Sequence, residues 1–469
     1  MSTSLISGKF KILHLGHLRL FKTAASLADN LIIAIDNSGL SKEELNWRIK
    51  LISNIDLVHK VIEFNGDVES LIEKLKPDYV VKGSEFSRIH NLEESILSEY
   101  GGKLIFSSGN YEYFESKSEF NHFETIGQDN DFLKRNNISR ESIQEVVNKF
   151  VNLRVCVIGD LIIDKYIDCK AIGMSQEYPE VVFTSLSAEN FIGGAGVVAQ
   201  HCNALGAQTD FFTILGDDEM GKWVNGKFLE TSINANLFTD ATRKTTIKTR
   251  YKYGPQNLFR LSEFTNDTIN LDIENKIINE FEKRSKDYDL LIFSDFSYGL
   301  LSPELVSKII KICKANKVFI AADSQSSSQI GDLSKFSNID LVTPTEREAR
   351  VELKDETSGL AVLLEKLQSK IHYGNVILKL AGDGVLINSL QNRLEDFLNI
   401  DQVLALNRSP VNVSGAGDAL LASSSMALAL GADIYVSSYI GSLAAALHIA
   451  VESNKPINLD DFNYLTSQI

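Results

Sequence analysis

Cysteine, basic charge and long apolar runs are all scarce in this sequence of 469 residues. Its four cysteines show no CxxC spacing and fall mostly in apolar surroundings, so we expect neither a disulfide framework nor a cysteine-held metal. No apolar stretch reaches the roughly 18 residues that span a bilayer, and the N-terminus lacks the apolar run of a signal peptide. We therefore expect a soluble protein of the reducing cytoplasm that has no membrane partner.

Acidic residues outnumber basic ones, with 62 Asp and Glu against 47 Lys and Arg and a formal net charge of -15. Sequence-independent binding of nucleic acid needs a basic surface, so this balance argues against a nucleic-acid partner. The 44% of hydrophobic and 23% of charged residues are typical of a globular protein. The chain is too long for one hydrophobic core, which predicts two or three domains.

The N-terminal third alternates short apolar runs with amphipathic segments. The apolar runs predict strands of a parallel sheet, and the segments between them predict helices that cover both of its faces. We expect strands over residues 5–6, 31–35, 60–64, 79–82 and 103–106. We expect helices over residues 17–27, 41–52, 68–75 and 92–100.

The loop after the first expected strand contains the sequence HLGH. It falls at the carboxyl edge of the sheet, where α/β proteins bind ligands. His14 and His17 can stabilise the charge that develops when pyrophosphate leaves a nucleoside triphosphate, and Gly16 between them lets a phosphate approach the backbone. A metal-binding pair, or one solvent-facing and one packed histidine, is the alternative for these residues.

Residues 121–137 are polar and show no clear period, so we expect a connection there and a short helix over residues 139–150. This predicts an N-terminal domain over residues 1–120, a linker with a connecting helix over 121–150, and a C-terminal domain over 151–469. No internal repeat or low-complexity tract is visible.

The C-terminal part opens on a buried strand, residues 154–158, that ends next to Asp160, with Asp164 four residues later. Carboxylates at the end of a strand can accept hydrogen bonds from sugar hydroxyls. Residues 163–186 and 245–264 alternate like the strands of a small second sheet. Glycines at 193 and 194 precede a helix, either to let the backbone close on a substrate or simply to make a tight turn.

The sequence VSGAGDALL places a glycine turn before a long apolar helix. The free N–H groups at such a helix start bind an anion, which the helix dipole also favours. Asp418 falls in the first turn, where a carboxylate can take a proton from an alcohol while those N–H groups hold the phosphoryl group that the alcohol attacks. The alternative is a helix whose first turn carries a favourable aspartate.

The segment GKFKILHLGHLRLFKTAASLADNLIIAI resembles the opening of the HxGH cytidylyltransferase-like nucleotidyltransferases, and KPDYVVKGSEF resembles a later segment of that family. The resemblance implies catalytic roles for His14 and His17. The nucleotide-binding residues that it implies are Gly8, Phe10, Gly16, Lys82 and Gly83. The chain departs from the family at Lys11, where Asp is usual, and in a Ser/Thr-rich signature that is reduced to Ser116 and Ser118.

Six segments carry a second resemblance, in chain order: GDLIIDKY, SQEYPE, the two glycines, SDFSYG, TPTERE and VSGAGD. Together they resemble the ribokinase-like (PfkB) sugar kinases. The kinase half of the bifunctional heptose-7-phosphate kinase/heptose-1-phosphate nucleotidyltransferases is the nearest pattern. The resemblance implies that Asp418 is the base, that Glu348 lies near magnesium, and that the small sheet is a lid over the sugar. The anion-hole residues that it implies are Gly415, Ala416 and Gly417. The sugar-binding residues that it implies are Asp160, Asp164, Gly193, Gly194 and Asp295.

Five positions of the kinase pattern carry a different residue, and each exchange removes a polar or charged contact. This chain has Val197 and Thr345 where the family has Asn, and Tyr298 where the family has Lys. It has Gln325 in place of the Lys of a DPK segment, and Asn412 in place of an acid. The exchanges imply either a sugar other than heptose 7-phosphate or a kinase activity that has faded.

Together the two resemblances predict an α/β protein with an N-terminal Rossmann-like nucleotidyltransferase domain and a C-terminal ribokinase-like domain with a β lid. This order is the reverse of the one usual in the heptose enzymes. The implied function is a magnesium-dependent sugar-phosphate kinase and nucleotidyltransferase that uses ATP in the kinase site and ATP or CTP in the other, with a homodimer contact through the lid. The alternatives are a transferase whose kinase-like half has lost catalysis and a non-catalytic nucleotide-binding regulator.

Overall fold

A computed structural model describes residues 2–10, 15–83, 93–107, 126–254, 256–325, 331–389, 400–407, 409–451 and 455–468. The chain divides into two compact units, Met1–Lys117 and Ser118–Ile469. Across the described ranges, no helix is both long and apolar enough to cross a membrane.

The N-terminal unit is a parallel sheet with helices between its strands, as the alternating pattern predicts. The strands are β1 (Thr3–Gly8), β2 (Asn30–Asp36), β3 (Lys60–Phe64), β4 (Tyr79–Gly83) and β5 (Lys103–Ser107). The helices are α1 (Leu15–Leu27), α2 (Lys42–Ser53), α3 (Val68–Leu75) and α4 (Glu93–Tyr100). A capping box starts α2, since the Ser41 hydroxyl accepts from the main-chain N–H of Glu44 and the Glu44 carboxylate accepts from that of Ser41.

The strand order β3-β2-β1-β4-β5 places β1 beside β4 in the middle of this sheet. The chain therefore reverses its direction of travel between these two strands, and ligands of open α/β sheets bind outside the carboxyl ends at such a point. The end of β1 at Gly8 and the end of β4 at Lys82 and Gly83 thus lie at the same edge.

The second unit contains more strands and helices in a similar alternation. Its strands are β6 (Arg154–Gly159), β7 (Leu161–Met174), β8 (Val181–Gly194), β9 (Gln208–Gly216), β10 (Asn234–Asp240), β11 (Ile247–Tyr253), β12 (Gln256–Glu263), β13 (Leu290–Asp295), β14 (Phe319–Ser324), β15 (Leu341–Val342), β16 (Asn375–Lys379), β17 (Val385–Ser389) and β18 (Ile400–Val403). Its helices are α5 (Asn130–Arg135), α6 (Arg140–Asn148), α7 (Ala195–Ala204), α8 (Glu219–Leu229), α9 (Leu271–Arg284), α10 (Pro303–Asn316), α11 (Glu346–Leu353), α12 (Leu360–Ile371), α13 (Ala416–Ala429), α14 (Ile434–His448) and α15 (Leu459–Thr466).

The main sheet of this unit has the order β10-β9-β6-β13-β14-β15-β16-β17-β18. Its strands are parallel from β10 to β16, and β17 and β18 complete it as antiparallel strands. Because side chains alternate along a strand, Ile292 packs on one face against α13 and α14, and Phe293 packs on the other against α9 and α10. Both faces are therefore covered, and the carboxyl ends of the parallel strands remain as the open edge.

A second sheet of four strands, β12-β11-β7-β8, stands outside the main one, which confirms the expected small sheet; it is called the lid below. The outer part of β8, residues 181–189, is solvent-exposed on both of its faces. Large apolar side chains are among the exposed ones on this sheet, with Leu186 67% and Phe259 57% exposed. Such a concentration of exposed apolar surface is typical of a contact site.

The structure corrects the expectation that residues 121–137 only connect two domains. Helix α5 lies within this segment, and its Phe132 and Leu133 are buried in the core of the second unit. Phe132 stacks on Tyr439 of α14 with ring centroids 6.0 Å apart, and Arg135 of the same helix pairs with Asp401 at 2.7 Å. Because α5 has only a few residues, its apolar period is too short to be visible in the sequence.

Candidate active site

The glycine turn before α13 forms the start of a helix that has no side-chain cap within the described chain. Gly415 occupies the N-cap position with φ 84°, a left-handed conformation that favours glycine. The segment before it, residues 409–413, forms no strand, and Asn412 fixes the turn by accepting from the main-chain N–H of Ser414 at 3.0 Å. The first N–H groups of α13, those of Ala416 and Gly417, remain available to an anion.

Asp418 lies in the first turn of α13 and is only 7% exposed. It lines a cleft of about 2050 Å³ at the carboxyl edge of the main sheet, together with Gly415, Ala416 and Gly417. The amide of Gln325 donates to its Oδ1 at 2.8 Å. Burial raises the pKa of Asp418 to about 7; the charge of Asp323 adds to the rise, while Lys379 and the hydrogen bond from Gln325 oppose it. A carboxylate with a pKa near neutrality is suited to act as a general base.

A buried ion pair lies next to this turn and joins β14 to β16, the two strands on either side of β15. The Nζ of Lys379, at the end of β16, is 2.8 Å from Oδ2 and 3.0 Å from Oδ1 of Asp323 on β14. Burial raises the pKa of Asp323 to about 6 against the opposing effect of Lys379. Burial lowers the pKa of Lys379, but the negative charges of Asp323 and Glu348 outweigh it, so the net shift is upward and the lysine stays charged.

Glu348 lies in the first turn of α11 and also lines the cleft. It forms a capping box with Thr345, because the Glu348 carboxylate accepts from the main-chain N–H of Thr345 at 2.8 Å and the Thr345 hydroxyl accepts from that of Glu348 at 3.2 Å. Threonine therefore supplies the cap at the position where the sequence pattern led us to expect asparagine. This contact holds Glu348 in place at the cleft wall.

Cationic side chains of the lid line the same cleft as the glycine turn. Lys248 and Arg250 are two residues apart on β11, and Arg260 on β12 is the cross-strand partner of Arg250. Arg250 forms an ion pair with Asp164, and Lys248 lies over the ring of Phe296 at 5.2 Å from its centroid. The lid thus presents positive charge to the cleft, which favours a substrate that carries an anionic group.

Two glycines at the end of β8 make room for the groups around Asp164. A Cβ on Gly193 would lie 2.2 Å from Oδ2 of Asp164, and a Cβ on Gly194, which has φ 59°, would lie 2.5 Å from the carbonyl oxygen of Asp160. Asp164 and Gly194 line the cleft. The two glycines thus lie against Asp164 and Asp160, and their role in sugar binding stays a prediction.

Asp160 and Asp295, also expected at the sugar, are buried and are not among the cleft-lining residues. Oδ2 of Asp160 accepts from the main-chain N–H groups of Phe296 and Tyr298 at 2.9 and 3.2 Å. Asp295 pairs with Lys335 at 2.8 Å. Burial raises the pKa of Asp160 to about 6, and the charge of Asp295 adds to the rise. These contacts hold the loop after β13, beneath the lid.

The N-terminal unit brings the expected residues together only in part. Gly16 and His17 lie in the first turn of α1, whereas His14, Lys11, Ser116 and Ser118 fall outside the described residues. The Phe10 side chain is buried in the core and packs edge-on against His17, with ring centroids 5.2 Å apart, so it supports this histidine. A Cβ on Gly8 would lie 3.2 Å from the Phe10 ring.

Lys82, at the end of β4, forms an ion pair at 2.7 Å with Glu93 in the first turn of α4. Sequence reasoning identified Lys82 and missed Glu93. It also missed Lys379 and the cations of the lid. A signal existed for Lys379, which follows the apolar run VIL at the end of a strand, and for Lys248 and Arg250, since the basic residues of IKTRYKY recur with period two on one face of a strand.

Comparison with known proteins agrees with this architecture. Residues 152–458 match the model of the pfkB family of carbohydrate kinases, and residues 5–101 match the cytidylyltransferase-like family model. The first match covers well over half of the chain, which therefore belongs to the pfkB carbohydrate kinase family. The expected order, with the cytidylyltransferase-like part first, is confirmed.

Among curated proteins, the chain is 29% identical over 313 residues to the bifunctional protein HldE of Campylobacter jejuni subsp. doylei. It is 30% identical over 314 residues to the protein of the same name from Aliarcobacter butzleri. Each alignment covers 66% of this chain and 63% of the relative, so the chain spans less than two thirds of the length of these proteins.

Solved structures match the fold of the kinase part. Phosphofructokinase-2 from Escherichia coli superimposes with a TM-score of 0.55 and 16% identity, covering 67% of this chain and 99% of that one. Ribokinase from Arabidopsis thaliana superimposes with a TM-score of 0.52 and 16% identity, covering 67% and 98%.

Proposed function

We propose that this protein is a bifunctional enzyme that phosphorylates a sugar phosphate and transfers a nucleotidyl group to a sugar phosphate, giving a nucleotide-activated sugar for surface glycans. The observation that carries the proposal is the buried carboxylate of Asp418 in the first turn of α13, beside the uncapped N–H groups of that turn. The similarity to proteins named bifunctional HldE supports the pairing of the two reactions.

In the kinase reaction, the N–H groups of Ala416 and Gly417 hold the γ-phosphoryl group of ATP, where the helix dipole favours its negative charge. Asp418 accepts the proton of the attacking sugar hydroxyl as the new bond to phosphorus forms and the bond to the ADP oxygen breaks. Gln325 orients the carboxylate through its hydrogen bond to Oδ1.

A sugar that already carries a phosphate fits the charge of the lid. Arg250 and Arg260 face each other across two strands, and like charges in that position repel unless an anion lies near them. Asp164 compensates one of the two. The motif resemblance makes a heptose phosphate the first substrate to test, with Asp164 and Gly194 on the side of the sugar.

Magnesium fits this cleft as an ion carried mainly by the phosphates. Asp323 is engaged by Lys379, and Glu348 is engaged by the N–H of Thr345. Among the described residues, no cluster of three or more His, Cys, Asp or Glu side chains could hold a metal on its own. Mg²⁺ prefers phosphate oxygens, water and one or two carboxylates, so Glu348 would contact it through water. The bound ion would neutralise charge on the triphosphate.

The second site is the edge of the N-terminal sheet where β1 and β4 end. His17 in the first turn of α1 and Lys82 at the end of β4 flank this edge. We assign to it the transfer of an adenylyl or cytidylyl group, in which a sugar phosphate attacks the α-phosphorus and pyrophosphate leaves. His14, His17 and Lys82 would stabilise the charge on the triphosphate, and the main chain of Gly8, Phe10, Gly16 and Gly83 would lie against it.

The alternative is a transferase whose kinase-like cleft binds ligand without turnover. The exchanges at Val197 and Gln325 favour it, since both residues line the cleft at positions where the family pattern has Asn and Lys. Incubation of the full chain with ATP, CTP and a panel of heptoses and their phosphates, followed by mass spectrometry, separates these cases. We expect one product heavier by a phosphoryl group and one heavier by a nucleotidyl group; nucleotide binding without either product would refute the proposal.

We also propose that the lid forms a homodimer contact. The exposed apolar side chains of β8 and β12 would be covered by the same surface of a second copy, as a two-fold symmetric interface requires. Light scattering of the purified chain should give twice the monomer mass.

A further inference from the structure

The kinase pattern of this chain has lost one cation next to the reacting groups. The segment that reads DPK in the resembling kinases is Asp323-Ser324-Gln325 here, so a neutral amide stands where a lysine is expected. The Gln325 amide donates to Oδ1 of Asp418. Positive charge beside a transferred phosphoryl group is a principal means by which enzymes stabilise this transition state, so its loss would be severe unless another residue replaced it.

The structure brings a lysine to this position from the end of β16, the second strand along the sheet from β14. Lys379 is 54 positions further along the sequence than Gln325, yet its Nζ contacts Asp323, the first residue of the same segment, at 2.8 and 3.0 Å. The same Nζ would lie 3.2 Å from a Cβ placed on Gly417, in the middle of the anion-binding turn. Lys379 lines the cleft together with Gly417, Asp418 and Gln325.

Three features suit this lysine to a phosphoryl group. An ammonium group has three N–H donors, and contacts to the two oxygens of one carboxylate leave at least one for the side facing Gly417. Asp323 is fully buried and holds the amine at a fixed position. The carboxylates of Asp323, Glu348 and Asp418 favour the charged form of this amine.

We infer that Lys379 is a catalytic residue that replaces the missing lysine of the DPK segment: it donates to the transferred phosphoryl group above Gly417, and Asp323 positions it. This inference rests on the proposed kinase function. The sugar oxygen bonds to the γ-phosphorus, the bond from that phosphorus to the bridging oxygen of ADP breaks, and the hydroxyl proton passes to Asp418. Lys379 keeps its proton throughout and offsets the charge on the phosphoryl oxygens.

The test exchanges the two side chains between their positions. Lys379→Gln should lower kcat for sugar phosphorylation by about 100-fold, the effect typical of removing one donor to a developing charge. The double variant Gln325→Lys/Lys379→Gln restores a cation beside Gly417 from the other strand, and we expect it to recover at least about tenfold of the loss. Lys283→Gln, which removes a surface ion pair with Glu280 on α9, is the matched control and should match the unmodified enzyme.

A second variant separates catalysis from folding. Lys379→Gln leaves the buried carboxylate of Asp323 without its partner, so reduced activity could reflect damage to the fold. Asp323→Asn/Lys379→Gln removes both charges; we expect its thermal midpoint to return towards that of the unmodified protein while kcat stays low. If kcat returned along with stability, or if Lys379→Gln stayed within about twofold of the unmodified enzyme, the inference would be wrong. Absence of phosphorylation by the unmodified enzyme would instead refute the proposed function.

Discussion

Replacing Asp418 by asparagine should abolish sugar phosphorylation and at the same time stabilise the fold. The carboxylate is 7% exposed, and burial raises its pKa from an ordinary value of 3.8 to about 7, with a further contribution from Asp323. One pKa unit corresponds to about 1.4 kcal/mol, so ionised Asp418 destabilises the folded state by up to about 4 kcal/mol. Asparagine has nearly the same shape and carries no charge, so it avoids this cost.

The sign of the effect follows from proton binding. Between pH values of about 4 and about 7, the folded protein retains a proton on Asp418 that the unfolded chain has lost. Stability from this group is therefore complete below pH 4 and decreases as the pH rises to about 7. The difference between Asp418→Asn and the unmodified protein should open across this range and stay constant above it.

Calorimetry at pH 5 and pH 8 measures the effect. For a unit of this size, 4 kcal/mol corresponds to an increase in the thermal midpoint of up to about 5 °C at pH 8, with a smaller increase at pH 5. Asp272→Asn on the exposed start of α9 controls for the loss of a negative charge and should give no such increase. A folded Asp418→Asn protein with an unchanged or lower midpoint at pH 8 would refute the burial argument. A normal rate of phosphorylation would exclude Asp418 as the base.

Three further predictions follow from the cleft and the lid. The rate of phosphorylation should rise with pH to a plateau above about 7, and Gln325→Leu should move this rise to higher pH, because its hydrogen bond lowers the pKa of Asp418; an unmoved pH–rate profile would contradict this. Gly193→Ala should lower kcat/KM at least about tenfold, since the new methyl group meets Asp164; normal kinetics would show that Asp164 does not need this position. Leu186→Lys on the lid should halve the mass measured by light scattering with little change in thermal midpoint, and an unchanged mass would place any dimer contact elsewhere.

The local structure of the site could be predicted from the sequence because it depends on residues close together in the chain. A glycine before an apolar helix allows the left-handed turn at Gly415, and the position of Asp418 three residues later fixes it in the first helical turn. Serine followed by proline is a local signal for a helix start, and Ser302 caps α10 in this way. The alternation of strands and helices predicted the parallel sheet of the N-terminal unit, because the period of apolar residues decides which elements can bury a face.

Contacts between distant segments could not be predicted in this way. Lys379 meets Asp323 across 56 positions of sequence, and Arg250 meets Asp164 across 86. Asp160 follows a strand at a place where a sugar ligand was expected. The loop after β13 instead packs against it, and two main-chain N–H groups of that loop donate to its Oδ2. These outcomes depend on which strands become neighbours and on how closely loops pack over their ends.

The sequence by itself determined the alternation of strands and helices and the glycine turn before α13, since these depend on local periodicity and backbone freedom, and its motifs implied the order of the two halves by resemblance to known families. The tertiary structure alone decided which charges surround that turn. Strand order brings Lys379 beside Asp323 and Gly417, and burial there changes the proton affinity of Asp418, because both depend on the distance between side chains and on the exclusion of water.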